Sequence, residues 1–234
     1  MLSKVKNDLF DYPNRYIMQA QDGFKFSLDS ILLAEYIDLK QDDKLVLDMC
    51  AGNAAVALIL SLKTKAHIVS FEVQEQIASL ASESVAINNL DEYITVINDD
   101  VNNIDKYYKD ETFDVIACNP PYFKIGKNMS ENKHLQLARH EVKITLEKVF
   151  MLASKMLKDR GAFYLVHRPS RLDEIIIYAH KYDINVKEIT LVKTSIQKSP
   201  RMVLVKCVKR SNMGIIVKSE VCTEGLKSYQ NIFK

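Results

Sequence analysis

The chain predicts an α/β fold with a doubly wound, mostly parallel sheet, and three observations carry that reading. Short β-rich apolar runs alternate with longer helical patterns through the middle of the sequence, as βαβ units do. Two further strand candidates near the end follow one another with no helix between them. The residues with chemical potential fall directly after strand candidates, where open α/β sheets bind their ligands.

In chain order, Ser27–Ile37 (SLDSILLAEYI) reads as an amphipathic helix with a serine cap and apolar residues at i, i+3 and i+4 spacing. Strands are expected at Leu45–Met49, His67–Phe71, Tyr93–Ile97, Phe113–Cys118 and Ala162–Val166. Helices are expected at Ala54–Leu62, Gln74–Asn88, Leu146–Leu157 and Arg171–Lys181. Asn185–Thr194 and Met202–Val208, joined around Ser199-Pro200, form an antiparallel hairpin that ends the sheet. The chain thus divides into an N-terminal extension (1–40), the α/β domain (41–210) and a tail (211–234). The last dozen residues lack a pattern and are expected to be loosely held.

Composition narrows the class. Over 234 residues, 47% are hydrophobic and 26% charged, which suits a water-soluble globular domain. No run reaches the ~18 apolar residues of a membrane span, and the first residues lack the apolar core of a secretory signal. The cysteines at 50, 118, 207 and 222 are scattered without a C-x-x-C pair, which argues for a reducing cytoplasm and against a disulfide framework or a zinc site. The five histidines form no metal-binding cluster, so no metal is expected. A net charge of +2 is too small to imply a polyanionic partner. Its distribution says more: Lys193–Arg210 holds six basic residues and no acidic one, and Lys124, Lys127, Lys133, Arg139 and Lys143 form a second basic segment. Both suit either a solvated face or a phosphate-tracking surface.

The turn after the first strand of the α/β domain, Asp48-Met49-Cys50-Ala51-Gly52-Asn53-Ala54, is built from small residues that let a ligand approach the backbone. It lacks the G-x-G-x-x-G of a dinucleotide site and the G-K-[ST] of a P-loop. Glu72 ends the next strand and is placed to accept hydrogen bonds from two ribose hydroxyls. Asp99 and Asp100 follow the third, where either can meet an adenine amino group. A small-residue turn and two acids on successive strands suit S-adenosylmethionine.

The sharpest signal is Asn119-Pro120-Pro121-Tyr122 after FDVIAC. Two prolines stiffen the turn and remove two donors, so its carbonyls remain as acceptors. The Asn119 side-chain oxygen and the Pro120 carbonyl can both accept from one NH₂ group. That pyramidalises a nitrogen whose lone pair is otherwise delocalised, through orientation and fixed dipoles rather than a general base. Tyr122 offers a face for stacking a planar substrate.

These residues resemble the class I methyltransferases that act on planar amino nitrogens. DGFKFSLDSILLAEYI, NPPYF with LARHE (Leu137–Glu141) after it, and VHRPSRLDEI (Val166–Ile175) together resemble the tRNA1(Val) adenine-37 N6-methyltransferase family, in its Gram-positive and mollicute form, over roughly residues 8–210. The resemblance implies a Rossmann-like fold with a mostly parallel seven-stranded sheet and S-adenosylmethionine as cofactor. Asp29, Asp48, Gly52, Asn53 and Glu72 would line the cofactor site, with Asp99 or Asp100 near its adenine. Asn119, Pro120, Pro121 and Tyr122 would hold the substrate adenine beside the anticodon of a tRNA. Lys124, Lys127, Arg139, His140, Lys198 and Arg201 are the candidates for gripping the anticodon arm. The departure lies in Cys50-Ala51-Gly52-Asn53-Ala54, where the family often has glycines, and weaker cofactor affinity is expected. Two alternatives stand beside this reading. One is transfer to guanine N2 in RNA or to protein glutamine, against which the absence of a second fold copy or a helical N-terminal domain argues. The other is an RNA-binding protein that has lost its cofactor.

Overall fold

The computed structural model describes residues 3–21, 28–121 and 144–233. An antiparallel hairpin of β1 (Lys4–Asp8) and β2 (Tyr16–Ala20) precedes helix α1 (Leu28–Tyr36). The main sheet follows with β3 (Leu45–Asp48), β4 (His67–Phe71), β5 (Ile94–Ile97), β6 (Phe113–Cys118), β7 (Leu157–His167), β8 (Ile184–Lys193) and β9 (Met202–Lys209). Helices α2 (Ala55–Leu60), α3 (Glu75–Ile87), α4 (Leu146–Met156) and α5 (Leu172–Lys181) connect them. The strand order is β8-β9-β7-β6-β3-β4-β5, parallel except for β9, which runs antiparallel between β7 and β8. All seven expected strands and the closing hairpin are present. Two short strands, β10 (Ile216–Val217) and β11 (Val221–Cys222), add to β8 and make the sheet nine-stranded.

Strand periodicity builds the two-sided core. Successive side chains of a strand point to opposite faces, so Val46 and Leu47 enter different clusters, as do Val115 and Ile116. One face packs Leu32 of α1, Leu58 of α2 and Val85 of α3; the other packs Phe150 of α4 and Ile175 of α5. From β3 the chain winds one way through β4 and β5, then returns to β6 on the other side. The reversal opens a crevice at the carboxyl ends of β3 and β6, the topological switch point at which such sheets take their ligands.

Two differences from the sequence reading have clear causes. β7 begins at Leu157, five residues before the expected strand, because the charged run Lys158-Asp159-Arg160 hides a strand that enters through an irregular register against β6. The tail is not loose. Asp11 accepts from the Tyr229 amide at 3.0 Å and, through its carbonyl, from Gln230 Nε2 at 2.6 Å. Phe233 packs edge-on against Tyr36, with ring centroids 5.3 Å apart. These anchors are single bonds from scattered residues, so no periodicity announces them.

Glu35 of α1 ties the termini together. Its carboxylate accepts from the Tyr12 hydroxyl at 2.6 Å and the Asn231 amide at 3.0 Å, and pairs with Lys63 at 3.0 Å. Removing this buried carboxylate takes the acceptor from the Tyr12 hydroxyl and the Asn231 amide, while Lys63 keeps its bond to the Ala34 carbonyl at 2.8 Å. Glu35→Ala is expected to destabilise the protein by about 2–4 kcal/mol, read as a fall in Tm of roughly 5–10 °C.

Candidate active site

Asp48, the last residue of β3, is fully buried, and neither carboxylate oxygen has a hydrogen-bond partner among the described residues. Burial, and then the nearby charge of Glu72, push its pKa up to about 7. Glu72, one residue past β4, is buried too. Its oxygens accept from the Gly52 amide at 3.0 Å and the Gln74 amide at 2.8 Å. Burial raises its pKa, and these backbone donors oppose the rise. Glu72 therefore shapes the turn, and each of its carboxylate oxygens can accept more than one bond.

The turn itself is left-handed at two places. Gly52 has φ +56°, and a Cβ there would meet nothing within 4 Å, so its backbone faces open space. Ala54 has φ 67° and is fully buried, a conformation that glycine adopts without strain and alanine does not. The turn keeps a left-handed form despite having one glycine.

The remaining cofactor candidates divide. Asp29 lies in the first turn of α1, half-buried. Asn53 turns toward the N-terminal hairpin, its side-chain amide donating to the Met18 carbonyl at 3.4 Å, which sets it apart from the Asp48–Glu72 group. Asp99 accepts from the Asp100 amide, Asn103 Nδ2 and the Tyr107 hydroxyl at 2.7, 2.7 and 3.0 Å, and these bonds, led by Asn103, hold its pKa below the usual carboxylate range. Asp100 caps the short helical turn Val101–Lys106, accepting from the Asn102 amide at 2.9 Å. Both acids thus have a local structural use that the sequence did not indicate.

Asn119, Pro120 and Pro121 follow β6 at the crevice. The bond from the Met49 amide to the Ala117 carbonyl, 3.0 Å, fastens the end of β6 to the turn after β3. Cys118 and Cys50 bring their sulfurs within 4.0 Å on the same seam. Asn119 Nδ2 donates to the Ser30 hydroxyl of α1 at 3.0 Å. Ser30 was missed in the sequence because the contact spans 89 positions and no local pattern marks it. At the end of β7 stands His167, whose pKa burial and the flanking Arg171 and Arg168 push down to about 4. It is neutral near pH 7, and its Nδ1 accepts from the Arg168 amide at 2.8 Å. Tyr122, Lys124, Lys127, Arg139 and His140 lie outside the described residues.

The basic stretch 193–210 splits on folding. Lys193 pairs with Glu220, Lys206 with Glu188, and Lys209 and Arg210 with Glu111. Because β9 is antiparallel, Lys209 and Arg210 sit at the end of the sheet opposite the crevice. Lys198 and Arg201 differ: they are exposed, lie in the β8–β9 loop at the crevice end, and have no ion pair among the described residues.

With this geometry in view, comparison with known proteins is specific. The chain is 28% identical over 222 residues to a protein of Bacteroides thetaiotaomicron named tRNA1(Val) (adenine(37)-N6)-methyltransferase, covering 94% of this chain and 91% of that one. Proteins of the same name from Porphyromonas gingivalis and Aeromonas hydrophila are 25% and 26% identical; each alignment covers 86% of this chain, and 80% and 84% of theirs. Among solved structures, a predicted O-methyltransferase from Agrobacterium tumefaciens superposes with a TM-score of 0.64 at 20% identity, covering 83% of this chain and 86% of that one. M. jannaschii TYW2 in complex with AdoMet does so at 0.55 and 14%, covering 89% and 86%. These structural likenesses establish a Rossmann-like fold. The methyltransferase small domain model matches residues 25–180, and the chain belongs to that family of methyltransferases.

Proposed function

We propose that the protein transfers a methyl group from S-adenosylmethionine to the N6 amino group of an adenine in tRNA, at position 37 beside the anticodon. The observation that carries this is the seam at the switch point, where the turn from Asp48 to Gly52, held by Glu72, lies against the strand that leads into Asn119-Pro120-Pro121. The names of the relatives agree in substrate and position.

The residues present fit the cofactor. A buried carboxylate with no partner among the described residues suits a ligand that brings donors or positive charge, and the open space at Gly52 admits close approach to the backbone. Glu72 would hold the ribose hydroxyls, Asp48 and Asp29 the methionine side, and Asp99 or Asp100 the adenine. Bound there, S-adenosylmethionine supplies an electrophilic methyl group. The chain's own residues do the rest. Asn119 Oδ1 and the Pro120 carbonyl accept hydrogen bonds from the two N–H groups of the target amino nitrogen and turn its lone pair outward, a matter of orientation and preset dipoles. Tyr122 stacks on the base. Drawing the adenine out of its loop requires unstacking on the order of a few kcal/mol. Lys198 and Arg201 contact the tRNA backbone from the β8–β9 loop; β8 is three strands from β6, roughly 14 Å at normal strand spacing. Lys124, Lys127, Arg139 and His140 are assigned to the same backbone from the sequence.

The direct test incubates the protein with methyl-labelled cofactor and unmodified tRNA, followed by digestion and mapping of the product. N6-methyladenosine at position 37 is expected; methylated guanine, or no transfer, overturns the proposal. In the same assay Asn119→Ala should lower kcat by about 10²-fold or more while calorimetry finds cofactor affinity nearly unchanged.

Asp48 gives a pH-dependent prediction. Its carboxyl ionises near 3.8 when unfolded and near 7 when folded, so the folded state binds the extra proton between those values. The stability linked to this proton is complete below pH ~4 and lost as pH rises through ~7. Asp48→Asn should therefore raise the Tm of the ligand-free protein at pH 8, by roughly 2–8 °C, with a smaller gain at pH 5 and almost none below pH ~4. It should also weaken cofactor binding. Lys198→Ala with Arg201→Ala should weaken tRNA binding and flatten the slope of log K against log salt by about 1–2.

A further inference from the structure

We infer that Ser30 is a positioning residue for the proposed transfer: its hydroxyl holds the rotation of the Asn119 carboxamide so that Oδ1 faces the target amino group. The inference rests on the role given to Asn119 above. The terminal torsion of an asparagine is broad and roughly two-fold, so the orientation of a carboxamide follows the hydrogen bonds it makes. The chemistry is sensitive to that torsion. With Oδ1 toward the substrate the site offers an acceptor to an N–H; with Nδ2 there it offers donors to donors, and the amino group is repelled. In the structure Nδ2 is engaged by Ser30 Oγ at 3.0 Å, and the planar geometry of the amide then sends Oδ1 to the other side.

Ser30 is well mounted for this task. It stands in the first turn of α1, five residues before Glu35, about 7.5 Å along the axis. Glu35 is bonded to Tyr12, Lys63 and the Asn231 amide, from three separate parts of the chain. Helix α1 cannot slide or rotate without breaking those bonds, so the hydroxyl reaches Asn119 from a fixed support. The N-terminal helix thereby acts on the reacting group through one side chain, from outside the βαβ core.

The experiment compares Ser30→Thr with Ser30→Val, which have nearly the same shape and differ in the hydroxyl. Thr is expected to keep kcat within about twofold and Val to lose about 3- to 10-fold, the range for one hydrogen bond. KM for tRNA, cofactor affinity by calorimetry, and Tm should match between the two. Equal kcat for Thr and Val overturns the inference, as does a loss confined to cofactor affinity. A second readout needs no turnover. In ¹⁵N-labelled protein the Asn119 side-chain NH₂ signal, identified by its disappearance in Asn119→Ala, should exchange with solvent more slowly in wild type and in Ser30→Thr than in Ser30→Val. Identical exchange in all three overturns the inference whatever the substrate. Absence of transfer to tRNA by wild type would instead strike the proposed function, leaving the NMR result to decide on Ser30.

Discussion

The parallel pairing of β3 with β6 brings together residues more than sixty positions apart. Val46 pairs with Val115 and Asp48 with Ala117, and one further bond, Met49 N–H to Ala117 carbonyl, carries the alignment just past both strands. A one-residue slip would invert every side chain on β6 relative to the core. It would send Ile116 and Cys118 to the wrong face and move Asn119 away from the turn at Asp48. The register is therefore set by apolar packing on two faces, and the polar site inherits its geometry from that packing.

Asp48 stands in an electrostatically costly place. Asp48 is buried beside a second buried carboxylate, and its oxygens have no partner among the described residues. Structural acids elsewhere in the chain are treated differently: Asp114 accepts from the Lys44 and Leu45 amides and pairs with Lys158, and Glu35 has three partners. The contrast sets Asp48 apart from the acids that hold the fold, and it is what supports the binding role proposed for it. It is a firmer mark of a binding role than position at a strand end, which Asp48 shares with Asp99 and Asp100.

Much of the fold was legible because strands and amphipathic helices write themselves into local periodicity. β4 and β6 match their expected limits to the residue, and the antiparallel closing hairpin followed from the missing helix before β9. What stayed hidden depends on distant partners. The Ser30–Asn119 bond, the knot at Glu35 and the docking of the tail are single contacts without a repeating pattern. The use of Asp100 as a cap and the sideways turn of Asn53 are decided by local backbone geometry after folding. How the basic run 193–210 divides was hidden for a related reason: its acidic partners Glu111, Glu188 and Glu220 lie elsewhere in the sequence, and an antiparallel strand carries half of the run to the far end of the sheet.

Ala54 shows what the surroundings can impose on a residue. A left-handed backbone at a non-glycine position is disfavoured by roughly 1–2 kcal/mol, yet this alanine holds one while fully buried at the start of α2. The shape of the turn is thus stored in its neighbours, among them the bond from the Ala54 amide to the Ala51 carbonyl and the grip of Glu72 on Gly52. The turn thus keeps its form with a single glycine. Searching genomes for glycine spacing will then pass over chains like this one, whereas a search keyed to the turn's backbone angles will retrieve them.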